Sequence, residues 1–268
     1  MLIWGKTYPE WSKSHYETVC TGAVDEETGR LIRIYPITLR YADASRAFKK
    51  YQWIRADVER NTSDHRPESY RINQATIEVE DTIGTKGSGW EERRQWVLRD
   101  HSVFTSVEAL KEQEREDRTS LGLVRPRAIR RFYEKRKTEE ARAEWEVART
   151  RALAQKDLFV DVDAETKELK FMPVQYRVEF ECEDDRCNGH DMSILDWELY
   201  ALSRKMYAAR GAGGARKAVL DKLAQITNFD KFEPYFYLGN VAAHPTSFMV
   251  VGLFTPPRKS QMGLFTGG

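Results

Sequence analysis

The chain has 268 residues, 41% of them hydrophobic, enough to bury the core of one large domain or two small ones. Lys plus Arg (43) nearly cancels Asp plus Glu (42), so a net charge of +1 excludes a protein that binds nucleic acid over its whole surface and leaves room for a local basic face. Three cysteines exclude a disulfide-dense scaffold, the N-terminus lacks the pattern of a signal peptide, and no run reaches the roughly 18 apolar residues of a membrane helix. A reduced, cytoplasmic protein with no membrane partner is expected.

Taken in chain order, the first segment, Lys6 to Tyr16, is dense in aromatics, hydroxyls and bases. Tyr8 and Trp11 could stack on nucleobases while Lys6 meets phosphate, or the same rings could pack on the core. Residues 17–37 read as a β-hairpin: Glu17 to Val24 and Leu31 to Ile37 are β-rich, and the turn between them ends in Gly29. Arg33, Tyr35 and Arg40 extend the basic and aromatic character. Tyr51 to Val58 and Tyr70 to Val79 alternate as strands do, with a loop at 64–69 marked by Pro67. Residues 85–156 are helical in composition, and Val124-Arg125-Pro126-Arg127 opens a helix with proline near its first turn. Arg125 to Lys156 holds 11 Lys/Arg against 5 Asp/Glu, which suits a solvated helical hairpin or a basic arm along phosphates.

β character returns after Lys156, in 158–162 and 169–172. From Val174 to Cys182, Val174, Tyr176, Val178 and Phe180 alternate inward and bring Cys182 onto the same face. Residues 192–207 have helical spacing, 210–214 form a glycine-rich break, 215–226 are helical again, and 247–254 is a buried strand. Strict βαβ alternation is missing. The expected architecture is therefore one α+β domain over 1–258, with a mixed or antiparallel sheet, a helical insertion at 85–156 and a flexible tail at 259–268.

Two constellations carry chemistry. Cys182, Cys187 and His190 offer two thiols and an imidazole within nine residues, the ligands zinc prefers, and Gly189 permits the tight turn. Cys20, on a strand expected to pair in the same sheet, is the natural candidate for the fourth ligand, with His15 and His244 as alternatives. A fourth protein ligand closes the site and makes it structural. The loop from Asp64 to Tyr70 groups Asp64, His65, Arg66 and Glu68 between strands, where a guanidinium can orient a carboxylate and bind phosphate. Asn240, entering the last strand, could read a base edge. Motifs for a phosphate-binding loop, a dinucleotide fold, a zinc protease, a serine hydrolase and a zinc deaminase are all absent from the sequence.

Four blocks carry a resemblance: Glu17 to Ala23 leading to Arg33-Ile34-Tyr35-Pro36, Asp64 to Tyr70, Cys182 to Glu198, and Leu238-Gly239-Asn240 through His244-Pro245 to Phe254. Together they resemble a poorly characterised bacterial family found among phage-defence and DNA-modification genes. Within it the chain is similar to antiphage DNA glycosylases that remove glucosylated cytosine. The resemblance implies an enzyme acting on modified phage DNA. On that reading a base is rotated out of the duplex and its glycosidic bond is cleaved beside a carboxylate, Asp64 first and Glu68 second. Arg66, Lys6 and Arg33 would hold flanking phosphates, and the cysteine–histidine turn would brace the same cavity. A non-catalytic module for modified nucleic acid and a metal-dependent nuclease are the competing expectations.

Overall fold

Residues 1–12, 16–38, 46–154 and 169–259 are described by the computed structural model. The fold is α+β, built from two mixed sheets and four helices among the described residues. The first sheet comprises β1 (Leu2–Lys6), β2 (Glu10–Ser12), β3 (Tyr16–Val24), β4 (Leu31–Ile37), β5 (Gln52–Arg55), β6 (Val58–Arg60), β7 (Ser69–Ile72) and β8 (Glu78–Thr82). Its order is β6-β7-β4-β3-β1-β5-β8, with β2 beside β3, and only the β4–β7 pair is parallel. The β3–β4 hairpin turns where expected. Asp25 Oδ1 accepts from the backbone N and the hydroxyl of Thr28 at 2.8 and 2.6 Å, and Gly29 takes a φ of 67° that other residues resist.

Helix α1 (Gly89–Val97) leads to β9 (Val103–Phe104), α2 (Val107–Asp117), β10 (Leu121–Val124), β11 (Pro126–Arg136) and α3 (Glu139–Leu153). Then come β12 (Val174–Cys182), β13 (His190–Ile194), α4 (Trp197–Ile226), β14 (Tyr235–Val241) and β15 (His244–Phe254). The second sheet runs β11-β12-β13-β15-β14-β10-β9. One core cluster lies between this sheet and α2 and α4, around Phe180, Leu199, Val219 and Phe236. Another joins the two sheets, and there Trp4 of β1 stacks on Tyr237 of β14 with centroids 4.0 Å apart. Strand β1 is buried on both faces: Leu2 and Trp4 enter the joint and Ile3 faces the isoleucine-rich third cluster.

The 85–156 stretch is not helical throughout. Residues 121–136 form β10 and β11, and Pro126 opens a strand, where its missing N–H costs little. Strand β11 is an edge, so its long charged side chains reach water while Arg127 and Arg130 pair with Glu181 and Arg131 with Glu179 of β12. That composition imitates a helix, and cross-strand ion pairing decides otherwise. The 70–79 stretch is interrupted after Ile72 by a short 3-10 turn, Gln74–Thr76, before β8. Residues 192–194 belong to β13, and α4 begins only at Trp197, capped by Asp196, whose Oδ1 accepts from Leu199 N at 3.1 Å. Residues 169–172 are irregular. The strand expected at 158–162 and the tail from 260 lie outside the described residues.

Candidate functional site

A cavity of about 610 Å³ opens where the two sheets meet. The first sheet contributes Lys6, Cys20, Arg33, Tyr35 and the 61–70 loop, and the second contributes Leu121, Gln175, Asn240 and Met249. Tyr8 leans over it against Tyr200 of α4, centroids 5.1 Å apart. Burial lowers the pKa of Lys6 to about 8, against the raising pull of Glu198, and its amine donates to the Phe48 carbonyl at 2.5 Å. Burial pushes the Cys20 thiol up, and Arg33 and Arg66 offset this only in part.

The polar residues of the 64–68 loop tie the two sheets together. Arg66 grips Asp64 through Nε (2.9 Å to Oδ1) and Nη2 (2.6 Å to Oδ2), and its Nη1 donates to the Asn240 carbonyl at 2.7 Å. Burial alone would raise the pKa of Asp64. Hydrogen bonds from the Arg66 side chain and backbone and from Ser69 override it and hold the carboxyl well below the usual range, so Asp64 is ionised. Glu68 crosses the same joint: Oε1 accepts from Ser120 N (2.7 Å) and Leu121 N (3.3 Å), and Oε2 from Ser120 Oγ (2.9 Å). Arg33, 5% exposed, donates from Nη1 to Ser69 Oγ and Ser120 Oγ at 3.3 and 3.1 Å. Its hydrogen bonds thus go to hydroxyls and a carbonyl rather than to a carboxylate. Asn240 is buried, with Nδ2 committed to the Pro245 carbonyl and Oδ1 without a hydrogen-bond partner among the described residues.

A second group of side chains lies elsewhere. Cys182, Cys187, His190 and Glu108 bring one ligand atom each within 4.8 Å of one another, and this group could hold a metal ion. Cys187 Sγ is 3.3 Å from His190 Nε2, which is 3.4 Å from Glu108 Oε2. Glu108 Oε2 is buried and, among the described residues, has only the long contact to His190, an arrangement that a cation would satisfy. Burial lowers the pKa of His190, against the raising pull of Glu108, which keeps the imidazole in its neutral, ligating form; it pushes the Cys182 thiol up to about 12, where bound metal would be needed to hold a thiolate. Ser106 caps α2 and also donates to Asp184 at 3.2 Å, which fastens the helix carrying Glu108 to the cysteine turn.

Residues 103–267 match the domain of unknown function DUF8757, and residues 1–99 match DUF8758. The chain belongs to the DUF8757 family. No curated protein matches it. The two matches meet between the first and second sheets, so the cavity lies at their junction, lined by both, whereas the metal-type group falls wholly within the DUF8757 part.

Of the residues singled out in the sequence, Lys6, Tyr8, Arg33, Tyr35, Asp64, Arg66 and Asn240 line the cavity. Trp11 does not; it packs on Trp145 of α3, centroids 5.7 Å apart. Glu68 does not either, because its carboxylate is turned into the sheet joint. Arg40 and His15 lie outside the described residues. Cys20 lies in the cavity wall rather than with the other thiols, and Glu108 is the residue that completes their group. The cysteine–histidine turn therefore does not brace the cavity. Gln175, at the cavity, and Cys182 are seven residues apart on β12, about 23 Å of strand. Glu108 is 74 positions from Cys182, and nothing in its local sequence sets it apart from the other acids of α2. Lys137 and Glu10, also in the wall, were equally unmarked.

Proposed function

We propose that the chain acts on DNA, with modified phage DNA as its target, by taking one nucleotide with a modified base into the cavity between the sheets and cleaving its N-glycosidic bond. The composition of the wall carries this reading: Tyr8, Tyr35 and Tyr70 stand beside Arg33, a buried guanidinium that hydrogen-bonds no carboxylate among the described residues. A flipped-out nucleotide brings an aromatic base and an anionic phosphate to such a wall. In the reaction, water adds to C1′ while the C1′–N bond breaks. The bonding pair leaves with the base, which takes up a proton, and the water's proton passes to solvent. Asp64 faces the positive charge that develops on the sugar. Its low pKa makes it a poor proton acceptor, so its contribution is electrostatic. Glu68 has no part in the chemistry on this reading, since it does not line the cavity and its carboxylate is turned to Ser120 and Leu121.

Binding without cleavage is the second reading, favoured by the engagement of Asp64 and Arg66 with each other and with the sheet joint. Incubation with phage genomic DNA bearing different base modifications, followed by mass spectrometry of released bases and gel analysis of strands, separates the readings. Free base supports the glycosylase. Retained but unaltered DNA supports the binding module, and strand breaks that require added Mg²⁺ point to a nuclease. DNA that is neither bound nor changed would refute all three.

For the four-residue group we infer zinc in a structural role. Thiolate, imidazole and carboxylate suit zinc, and tetrahedral coordination would place S and N, or N and O, about 3.3–3.6 Å apart, close to the separations observed. Four protein ligands leave no position for substrate. Protein purified from zinc-supplemented medium should carry one zinc per chain, and Cys187→Ser and Glu108→Gln should each lose it and melt at lower temperature. Metal-free wild-type protein with the same melting temperature before and after zinc addition would refute the assignment.

A further inference from the structure

Helix α4 leaves the cavity wall and runs out into solvent. Tyr200 lines the cavity. On an α-helix, residues four and seven positions further on share a face. Arg204 and Tyr207 therefore continue the Tyr200 stripe, about 6 and about 10 Å along the axis. Tyr207 is 56% exposed, the highest value among the exposed large hydrophobic side chains described. From Leu199 to Leu220 there are five Lys/Arg and no Asp or Glu, in a protein whose charges otherwise balance. Arg216 and Lys217 meet Glu134 and Asp221 at 3.8 and 2.6 Å. Arg204, Lys205 and Arg210 form no ion pair with a described residue. Immediately after Arg210 the helix breaks at Gly211 (φ 68°, ψ −171°), and residues 207–213 are all exposed.

An exposed ring among cations that no described acid pairs, in line with a nucleotide-sized cavity, is the composition that holds single-stranded nucleic acid: bases stack on the ring and phosphates meet the cations. We infer that the Arg204–Tyr207–Arg210 stretch of α4 binds the nucleotides flanking the one in the cavity, so that the partner is a single-stranded segment of nucleic acid rather than a free nucleotide. This inference rests on the nucleotide reading of the cavity. An anionic membrane would attract the same cations, but residues 207–213 offer one aromatic ring among alanines and glycines, too little apolar surface to enter a bilayer interface.

The test uses the full chain and three probes: a labelled single-stranded DNA 10-mer, deoxycytidine monophosphate, and vesicles containing phosphatidylserine. The wild type should bind the 10-mer more tightly than the mononucleotide. Tyr207→Ala should weaken 10-mer binding on the order of tenfold, and Arg204→Glu with Arg210→Glu should weaken it further and flatten its salt dependence. Mononucleotide affinity and melting temperature should not change. The inference is overturned if these variants bind the 10-mer as tightly as the wild type, if the wild type binds the 10-mer no more tightly than the mononucleotide, or if it binds vesicles in preference to DNA. A wild type that binds the 10-mer but not the mononucleotide, with the variants weakened, would support the α4 contact and refute the cavity as the nucleotide's seat.

Discussion

Glu68→Ala is expected to destabilise the protein by about 3–5 kcal/mol, since it strips three hydrogen bonds from a half-buried carboxylate and such bonds to a charged group contribute about 1.5–3 kcal/mol each before solvent compensates. Three donors lose their acceptor at once: the backbone N–H groups of Ser120 and Leu121 and the Ser120 hydroxyl. Each sits in the joint between the sheets, where water cannot easily replace the carboxylate. The effect reaches Arg33, because Ser120 receives Arg33's hydrogen bond through the same hydroxyl that it donates to Glu68. Without Glu68 the buried guanidinium keeps its charge and loses a nearby compensating one. In a chain of this length the melting temperature should fall by about 6–15 °C. Glu68→Gln should cost less, since it keeps one acceptor and the hydroxyl of Ser120 can reverse its direction. Thermal and urea unfolding of the three proteins decide the matter. If Glu68→Ala unfolds with the wild type yet releases no base from modified DNA, Glu68 belongs to the chemistry and the tie described here is wrong.

The same joint shows what could and could not be read from the residues alone. The β3–β4 hairpin and β12 were legible because alternation and turn residues are local signals: Tyr176, Val178, Phe180 and Cys182 are buried as their spacing implies. Strand β11 was not legible. Its Arg127, Arg130 and Arg131 pair with Glu179 and Glu181, about fifty positions away, and a pairing at that distance leaves no periodic trace. For the site, residue type identified part of the cavity's wall, missing Lys137 and wrongly including Trp11, and the two sheets do bring Lys6, Arg33, Asp64 and Asn240 to one hollow. Residue type could not say which of two neighbouring acids faces the hollow. Asp64 and Glu68 stand on one loop, but Pro67 and the β7 strand that starts at Ser69 turn Glu68 toward Ser120. In the metal-type group the three clustered ligands were visible and the fourth was not, because Glu108 comes to them on a separate helix.

Gly22→Ala should be the most damaging single methyl addition in the chain's first sheet. A Cβ there would lie 2.0 Å from Cζ2 of Trp4 and 2.3 Å from Cε2 and Cη2. The indole is a rigid ring that cannot flex out of the way. It is stacked on Tyr237 at 4.0 Å, and its Nε1 donates to the Ala23 carbonyl at 3.0 Å. Making room for the methyl therefore means moving Trp4, opening the contact between the sheets and breaking a buried hydrogen bond. Overpacking costs about 1–3 kcal/mol by itself, and displacement of a buried aromatic takes the expected loss to about 3 kcal/mol or more. Trp4 and Gly22 both line the cavity, so nucleotide binding should fall with stability. A double-mutant cycle isolates the cause. Trp4→Ala alone is costly because it empties the joint, but in that background Gly22→Ala should cost almost nothing, since the space it needs is vacant. The coupling should be about 2 kcal/mol or more, with the double mutant more stable than the sum of the single losses predicts. Additive losses would mean that the methyl meets something other than the indole, and that Trp4 is not the pin that holds the two sheets, and the cavity between them, in register.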